Sequence, residues 1–178
     1  MNNNVQNAAK IVLIGFMGTG KSTVSHMLAE RLGWNRIDID DQIVRREDKP
    51  IPEIFAEGGE EAFRRIETEV LEAVLTDASG SAVIATGGGA VLRAVNCEAM
   101  LQGGFVVALK AEAGQIIARV SSDTNRPLLE GDVETRVKLL LEQRKHAYDF
   151  AHYTIDTTSM TAEEVVHAIM DQWSKREA

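Results

Sequence analysis

Short aliphatic, β-branched runs alternate with stretches of helical periodicity along the whole chain. Residues 10–14, 36–39, 82–85, 105–109 and 153–156 have the length and composition of buried strands. Between the first two, 21–32 carries apolar residues at Val24, Met27, Leu28 and Leu32 and stops at Gly33, the pattern of an amphipathic helix with a glycine cap. Residues 40–47 open another helix with acidic residues in its first turn, where they meet the positive end of the helix dipole. After Pro50 and Pro52, residues 53–56 form a helical turn that Gly58-Gly59 breaks, and 60–78 make a long helix. Further helices are predicted over 91–101, 113–120 and 133–148, and a closing one over 161–175 with Ser159 or Thr161 as its N-cap. Residues 121–132 are polar and contain one Pro, the composition of a loop.

Strand–helix alternation of this kind predicts an α/β fold, with a five-stranded parallel sheet covered by helices on both faces. A chain of 178 residues is expected to form one domain, 1–178, within which 49–65 and 121–132 stand out as inserted pieces. Ligands of such sheets sit beyond the carboxyl ends of the strands, which directs attention to the residues that follow each strand.

Composition narrows the partners more than the fold. Hydrophobic residues make up 44% and charged residues 26%, an ordinary globular balance. Nineteen Lys and Arg face 27 Asp and Glu, and the resulting formal charge of -8 repels nucleic acid and anionic membrane. Anionic ligands must therefore be held by a few local basic groups. Cys97 is the single cysteine, and His26, His146, His152 and His167 lack metal-ligand spacing, so neither a disulfide nor a structural zinc site is expected. Residues 1–10 are polar and Asn-rich with one Lys, and the apolar run after them ends without a small-residue cleavage site. No stretch reaches the ~20 apolar residues of a membrane-spanning helix. A cytoplasmic protein is expected.

The first strand leads into Gly15-Phe16-Met17-Gly18-Thr19-Gly20-Lys21-Ser22, which fits G-x-x-x-x-G-K-[ST] at every fixed position. A strand before it and a helix after it supply the context the motif needs. Glycines let the loop turn its N–H groups onto phosphates, and the helix N-terminus adds positive potential. ATP is the expected ligand, with Gly18, Thr19, Gly20, Lys21, Ser22 and Thr23 around it. Lys21 would reach the β- and γ-phosphates, and Ser22 would offer an oxygen to Mg²⁺.

Asp38 and Asp40 end the second strand at i and i+2, so both carboxylates would face the phosphate loop. One is suited to Mg²⁺ through water and the other to a hydroxyl nucleophile, although acids here also serve as helix caps. On the helix 133–148 an apolar stripe runs through Val133, Val137, Leu140, Leu141 and Tyr148, and Arg144 falls on it with no acid one turn away. An inward charge without a partner is costly. Either the guanidinium snorkels to the rim or it waits for an anion such as a substrate carboxylate. Arg64 is three residues before Glu67, which lies on the apolar line Phe63, Ile66, Val70 and Val74. An inward Arg64–Glu67 pair would aim a second guanidinium fork, whereas surface pairing would give Glu60–Arg64 and Glu61–Arg65. Gly87-Gly88-Gly89 directly after the third strand allows close approach of backbone to a ligand. Arg119 closes the helix 113–120 and would either stack on adenine or complement the helix C-terminus.

Taken in order, the phosphate loop 15–22, the Asp38-x-Asp40 pair, Phe63-Arg64-Arg65-Ile66-Glu67, Gly87-Gly88-Gly89, Asn125-Arg126-Pro127-Leu128 and Gln143-Arg144 through Tyr148 resemble the shikimate kinases, within the nucleoside-monophosphate-kinase-like P-loop group. They span nearly the whole chain. The resemblance implies transfer of the γ-phosphoryl group of ATP to the 3-hydroxyl of shikimate, with Mg²⁺, in aromatic amino acid biosynthesis. It also implies a substrate-binding segment at 49–65 and a lid at 121–132, with Arg126 closing on the phosphates. On this pattern Lys21, Asp40 and Arg126 are catalytic, and Ser22 and Asp38 serve the metal. Arg119 and Arg126 join the loop residues around ATP. Asp40, Arg64, Gly87, Gly88, Gly89 and Arg144 bind shikimate, with the Gly88 N–H donating to a hydroxyl. A monomer acting on ATP and shikimate is expected, with no nucleic-acid or membrane partner. A kinase for another polyhydroxy acid such as gluconate, or an ATP-sensing module without an acceptor, are the competing readings. The chain departs from the family at 156–160, which lacks an Arg, and at Ala147, where Pro is common.

Overall fold

A computed structural model describes residues 8–121 and 132–177. The elements run β1 (Lys10–Gly15), α1 (Lys21–Leu32), β2 (Asn35–Asp38), α2 (Ile39–Glu47), α3 (Ile51–Thr76), β3 (Ala82–Ala85), a 3₁₀ turn (Ala90–Leu92), α4 (Ala94–Gly103), β4 (Phe105–Lys110), α5 (Ala113–Val120), α6 (Val133–Gln143), β5 (Tyr153–Asp156) and α7 (Ala162–Glu177). The five strands form one parallel sheet in the order β2-β3-β1-β4-β5, as the alternation predicts.

β1 lies at the centre, and Ile11, Val12, Leu13 and Ile14 are wholly buried. Alternate side chains feed two cores. Ile11 and Leu13 pack with Val24, Leu28, Val166 and Ile169 of α1 and α7. Val12 and Ile14 pack on the other face with Ile39, Ile43, Phe63, Leu71 and Val137 of α2, α3 and α6. Each fully buried Leu or Ile contributes roughly 1.5–3 kcal/mol, so the strand that delivers the phosphate loop is firmly anchored.

Caps explain several boundaries. Gly33 ends α1 in the left-handed conformation. Thr161 and Glu164 form a reciprocal capping box at the start of α7, the Glu164 N–H donating to the Thr161 hydroxyl and the Thr161 N–H to the Glu164 carboxylate. Helix α3 is interrupted at Gly59 (φ 71°, ψ -177°), at the expected break. It stops at Thr76 rather than 78 because Asp77 accepts hydrogen bonds from the N–H and hydroxyl of Ser79 and turns the chain.

Two expected helices are shorter. The span 91–101 divides into the 3₁₀ turn and α4, separated by Arg93 in extended conformation with its side chain paired to Glu61. That same pair corrects the expected Glu61–Arg65 contact. The span 133–148 is helical only to Gln143; Arg144 leaves the helix (φ -106°, ψ 10°), and i→i+3 hydrogen bonds carry the chain on as successive turns. The segment 121–132 expected to form a lid, including Arg126, lies outside the described residues except for Ser121 and Asp132.

Candidate active site

A cavity of about 440 Å³ opens at the carboxyl ends of the strands, lined by Gly18 to Thr23, Asp38, Asp40, Gly87, Gly88, Arg119 and Thr157 among others. Gly15 closes β1 where the loop turns against β4: a Cβ there would come within 2.4 Å of the Leu109 carbonyl, so only glycine fits. Thr19 is buried and its hydroxyl donates to the Phe16 carbonyl at 2.8 Å. The Lys21 Nζ donates to the Gly15 and Phe16 carbonyls at 2.7 and 3.0 Å, which lays the ammonium over the loop. Arg119 donates to the Gly18 carbonyl at 2.9 Å, so it braces the loop from the end of α5. The Thr157 hydroxyl bonds the Thr19 and Lys110 carbonyls from the opposite wall. Sequence reasoning did not single out Thr157, whose only signal was its position directly after a strand.

Asp38 and Asp40 share the cavity, but not through strand alternation. β2 ends at Asp38, which is the N-cap of α2: its Oδ1 accepts the Asp40 N–H at 3.1 Å and its Oδ2 accepts from Arg36 at 3.0 Å. Asp40 stands in the first helical turn. Burial, and next the neighbouring Asp38 carboxylate, push Asp40 from the ordinary 3.8 up to about 6, against the pull of Lys21 and Arg64. A carboxylate so raised is a better proton acceptor than a solvated one.

Around Gly87-Gly88-Gly89 a second set of groups assembles. Arg64 (7% exposed) donates to Glu67 (0% exposed) at 2.8 Å and to Glu60 at 3.3 Å, so the inward pair and one surface pair both form. Burial raises Glu67 while the Arg64 charge opposes it. Deleting one member of such a buried pair typically costs 3–5 kcal/mol. The guanidinium lies flat against Gly89, where a Cβ would sit 2.3 Å from an Arg64 nitrogen, and Glu67 Oε1 and Asp40 flank Gly87. Both Arg64 Nε and Glu67 Oε1 are buried without a hydrogen-bond partner among the described residues. Gly88 approaches the phosphate loop, its α-position facing the Met17 nitrogen and Gly15 carbonyl.

Arg144 is 6% exposed, which removes the snorkelling alternative. It has no carboxylate partner among the described residues; it stands 5.9 Å from the Phe16 ring centroid, and its charge acts on the Tyr148 phenol. Tyr148 donates to the Gly88 carbonyl at 2.7 Å. Arg144 and Tyr148 also line a separate cavity of about 400 Å³ beneath α5 and α6. Tyr148 is on the apolar stripe read from the sequence, but its hydroxyl was not assigned a task.

Phosphate loop, acidic pair and a cradle of buried arginines on a parallel α/β sheet define an ATP-dependent kinase of the P-loop class with a small anionic acceptor. The chain belongs to the shikimate kinase family: the family model for shikimate kinase matches residues 17–174. It is 41% identical over 166 residues to the shikimate kinase of Thermodesulfovibrio yellowstonii, covering 93% of this chain and 95% of that protein. It is 44% identical over 161 residues to that of Moorella thermoacetica, covering 90% and 92%. The fold superposes on the shikimate kinase from Acinetobacter baumannii, solved in complex with shikimate, with a TM-score of 0.89 and 38% identity over 95% of this chain and 94% of that one.

Proposed function

We propose that this chain transfers the γ-phosphoryl group of ATP to the 3-hydroxyl of shikimate, a step of aromatic amino acid biosynthesis, and that the residues assembled around the Gly87–Gly89 turn carry it out. The observation that carries this reading is the meeting of two sites at one turn. Asp40 and Gly88 face the phosphate-loop cavity, while Arg64 reaches the same turn from α3 and Tyr148, four residues after the buried Arg144, reaches it from beyond the end of α6. Shikimate is a carboxylate bearing three hydroxyls. Arg64 and Arg144 suit its carboxylate through guanidinium forks, and the backbone of Gly87–Gly89 suits its hydroxyls. Asp40 then takes the proton of the attacking hydroxyl. The oxygen forms its bond to the γ-phosphorus as the bond to the β-phosphate oxygen breaks, and ADP leaves with that electron pair. Lys21 neutralises charge on the transferring group, and on the family pattern Arg126 does so too.

The donor set fits Mg²⁺. Ser22 and Asp38 line one cavity and offer hard oxygens, and no group of three or more His, Cys, Asp or Glu suited to a metal occurs among the described residues. One or two protein oxygens plus substrate phosphates and water is the usual arrangement for this ion. When bound it would supply charge neutralisation at the phosphates. With both Asp38 oxygens already accepting hydrogen bonds, contact through water suits that residue.

Segment 49–65 serves as the acceptor-binding segment and 121–132 as the lid of a single domain that works as a cytoplasmic monomer. No helix among the described residues is long and apolar enough to cross a membrane. The test is ADP release measured with shikimate, with gluconate and with no acceptor. Shikimate-dependent release is expected. Release driven by gluconate instead would replace the acceptor, and binding of ATP without acceptor-dependent turnover would leave a nucleotide sensor.

A further inference from the structure

Arg144 raises a problem of orientation. It is buried, it has no carboxylate partner among the described residues, and it sits where α6 has already ended, so helical geometry does not aim its side chain. The groups around it are the Phe16 ring and the phenol of Tyr148. Tyr148 is 5% exposed; its hydroxyl donates to the Gly88 carbonyl at 2.7 Å and feels the charge of the neighbouring Arg144 guanidinium, with which it shares a cavity wall. Burial, its largest influence, raises its pKa against the opposing charge of Arg144, so the phenol keeps the proton it donates.

The Gly88 carbonyl and the Gly89 N–H belong to one planar peptide, so fixing the first aims the second. Gly89 is the residue against which the Arg64 guanidinium lies, and Gly88 abuts the phosphate loop at Met17. A chain of contacts thus runs from Arg144 through the Tyr148 hydroxyl to the Gly88–Gly89 peptide and on to Arg64. We infer that Tyr148 is a positioning residue for the acceptor: its hydroxyl orients the Arg144 fork and the Gly88–Gly89 peptide together, so that the carboxylate and hydroxyl contacts of the substrate are set by one group. Tyr148 does not itself line the nucleotide cavity; it meets that cavity only through the Gly88 carbonyl.

The inference rests on shikimate as the acceptor. The test is Tyr148→Phe in the full chain, which keeps the ring in its buried place and removes only the hydroxyl. KM and calorimetric Kd for shikimate are expected to rise about tenfold, the effect of losing one hydrogen bond worth about 1.4 kcal/mol, while KM for ATP stays within twofold and kcat within threefold. Because the hydroxyl acts through Arg144, the substitution should add little in an Arg144→Leu background. A merely structural role would lower the melting temperature and move both KM values together. Shikimate affinity within twofold of wild type, equal rises in both KM values, or full additivity with Arg144→Leu would each overturn the assignment. Failure of the wild-type protein itself to bind shikimate would overturn the acceptor reading, and the relay with it.

Discussion

The phosphate side of the site offers the main-chain N–H groups of consecutive residues, shaped by glycines and anchored on the central strand. The acceptor side offers guanidinium groups from α3 and from the end of α6, steadied by Glu67 and Tyr148, which no short stretch of sequence brings together. The first is part of the fold: Gly15 cannot take a side chain without striking β4. The second is assembled from buried side chains of separate elements, so each of its groups can be changed without altering the loop itself. Under the proposed assignment, a nucleotide common to many enzymes is met by backbone, and the particular acceptor by side chains.

The largest effect that would break this contrast is at Lys21, a side chain of the phosphate loop that would carry charge to the transferring group. Lys21→Ala is expected to lower kcat by roughly 10²–10³-fold or more with the fold intact. Steady-state rates and a melting curve check it, and near-normal turnover in folded protein would remove the assignment.

Arg144→Leu probes the other side. Shikimate affinity should fall by about 2–5 kcal/mol, roughly 30-fold to several thousand-fold in Kd, with ATP affinity nearly unchanged. Stability should stay level or rise, since replacing a costly inward charge by an apolar side chain is often neutral or favourable. Arg144→Lys should restore only part of the loss because an ammonium lacks the fork. A lower melting temperature with unaltered shikimate binding would make Arg144 structural and erase the distinction between the two sides.

Gly89→Ala sharpens the comparison from the backbone of the acceptor side. Its Cβ would displace the Arg64 guanidinium, and overpacking of this kind costs roughly 1–3 kcal/mol. About tenfold weaker shikimate binding is expected, with ATP binding retained; titrations in which both ligands weaken equally would contradict it.

The smallest effect lies outside both sides and acts as a control. His152 Nδ1 accepts the Val106 N–H at 3.0 Å, and desolvation, followed by the Arg176 charge, lowers its pKa below the ordinary 6.5. The unfolded chain therefore takes up this proton first as pH falls. The contribution is present above pH 6.5 and is lost below it. Between pH 7.5 and 5.5 the wild-type melting temperature should drop slightly more than that of His152→Gln, at unchanged relative activity. Parallel curves would exclude the linkage.

The same division governs what the sequence makes legible. The phosphate loop and the five strands are contiguous signals, and all appear where periodicity and the motif put them. Arg144 and Glu67 were legible through a different cue, charges on apolar lines, and Arg64 through its three-residue spacing from Glu67. What escaped depends on contacts far apart in the chain. The extended Arg93 that divides 91–101 is held by Glu61, 32 residues away. Residues 144–148 keep the inward-facing pattern of a helix while the backbone has left it, so the stripe through Tyr148 could not reveal the end of α6. Asp38 and Asp40 converge as expected, but by a helix cap where strand alternation was the predicted cause. The bond from Tyr148 to Gly88 spans 60 residues and has no sequence signature.

The central position of β1 also sets a hierarchy of exchange with solvent. Its amides pair with neighbours on both sides and lie under two cores, so deuterium can reach them chiefly by global unfolding. Residues 51–58 precede the Gly59 break and are joined to the rest of α3 through one non-helical residue, which lets that stretch open on its own at lower free energy. Residues 51–58 can therefore open while the strand that presents the phosphate loop remains among the last parts to exchange.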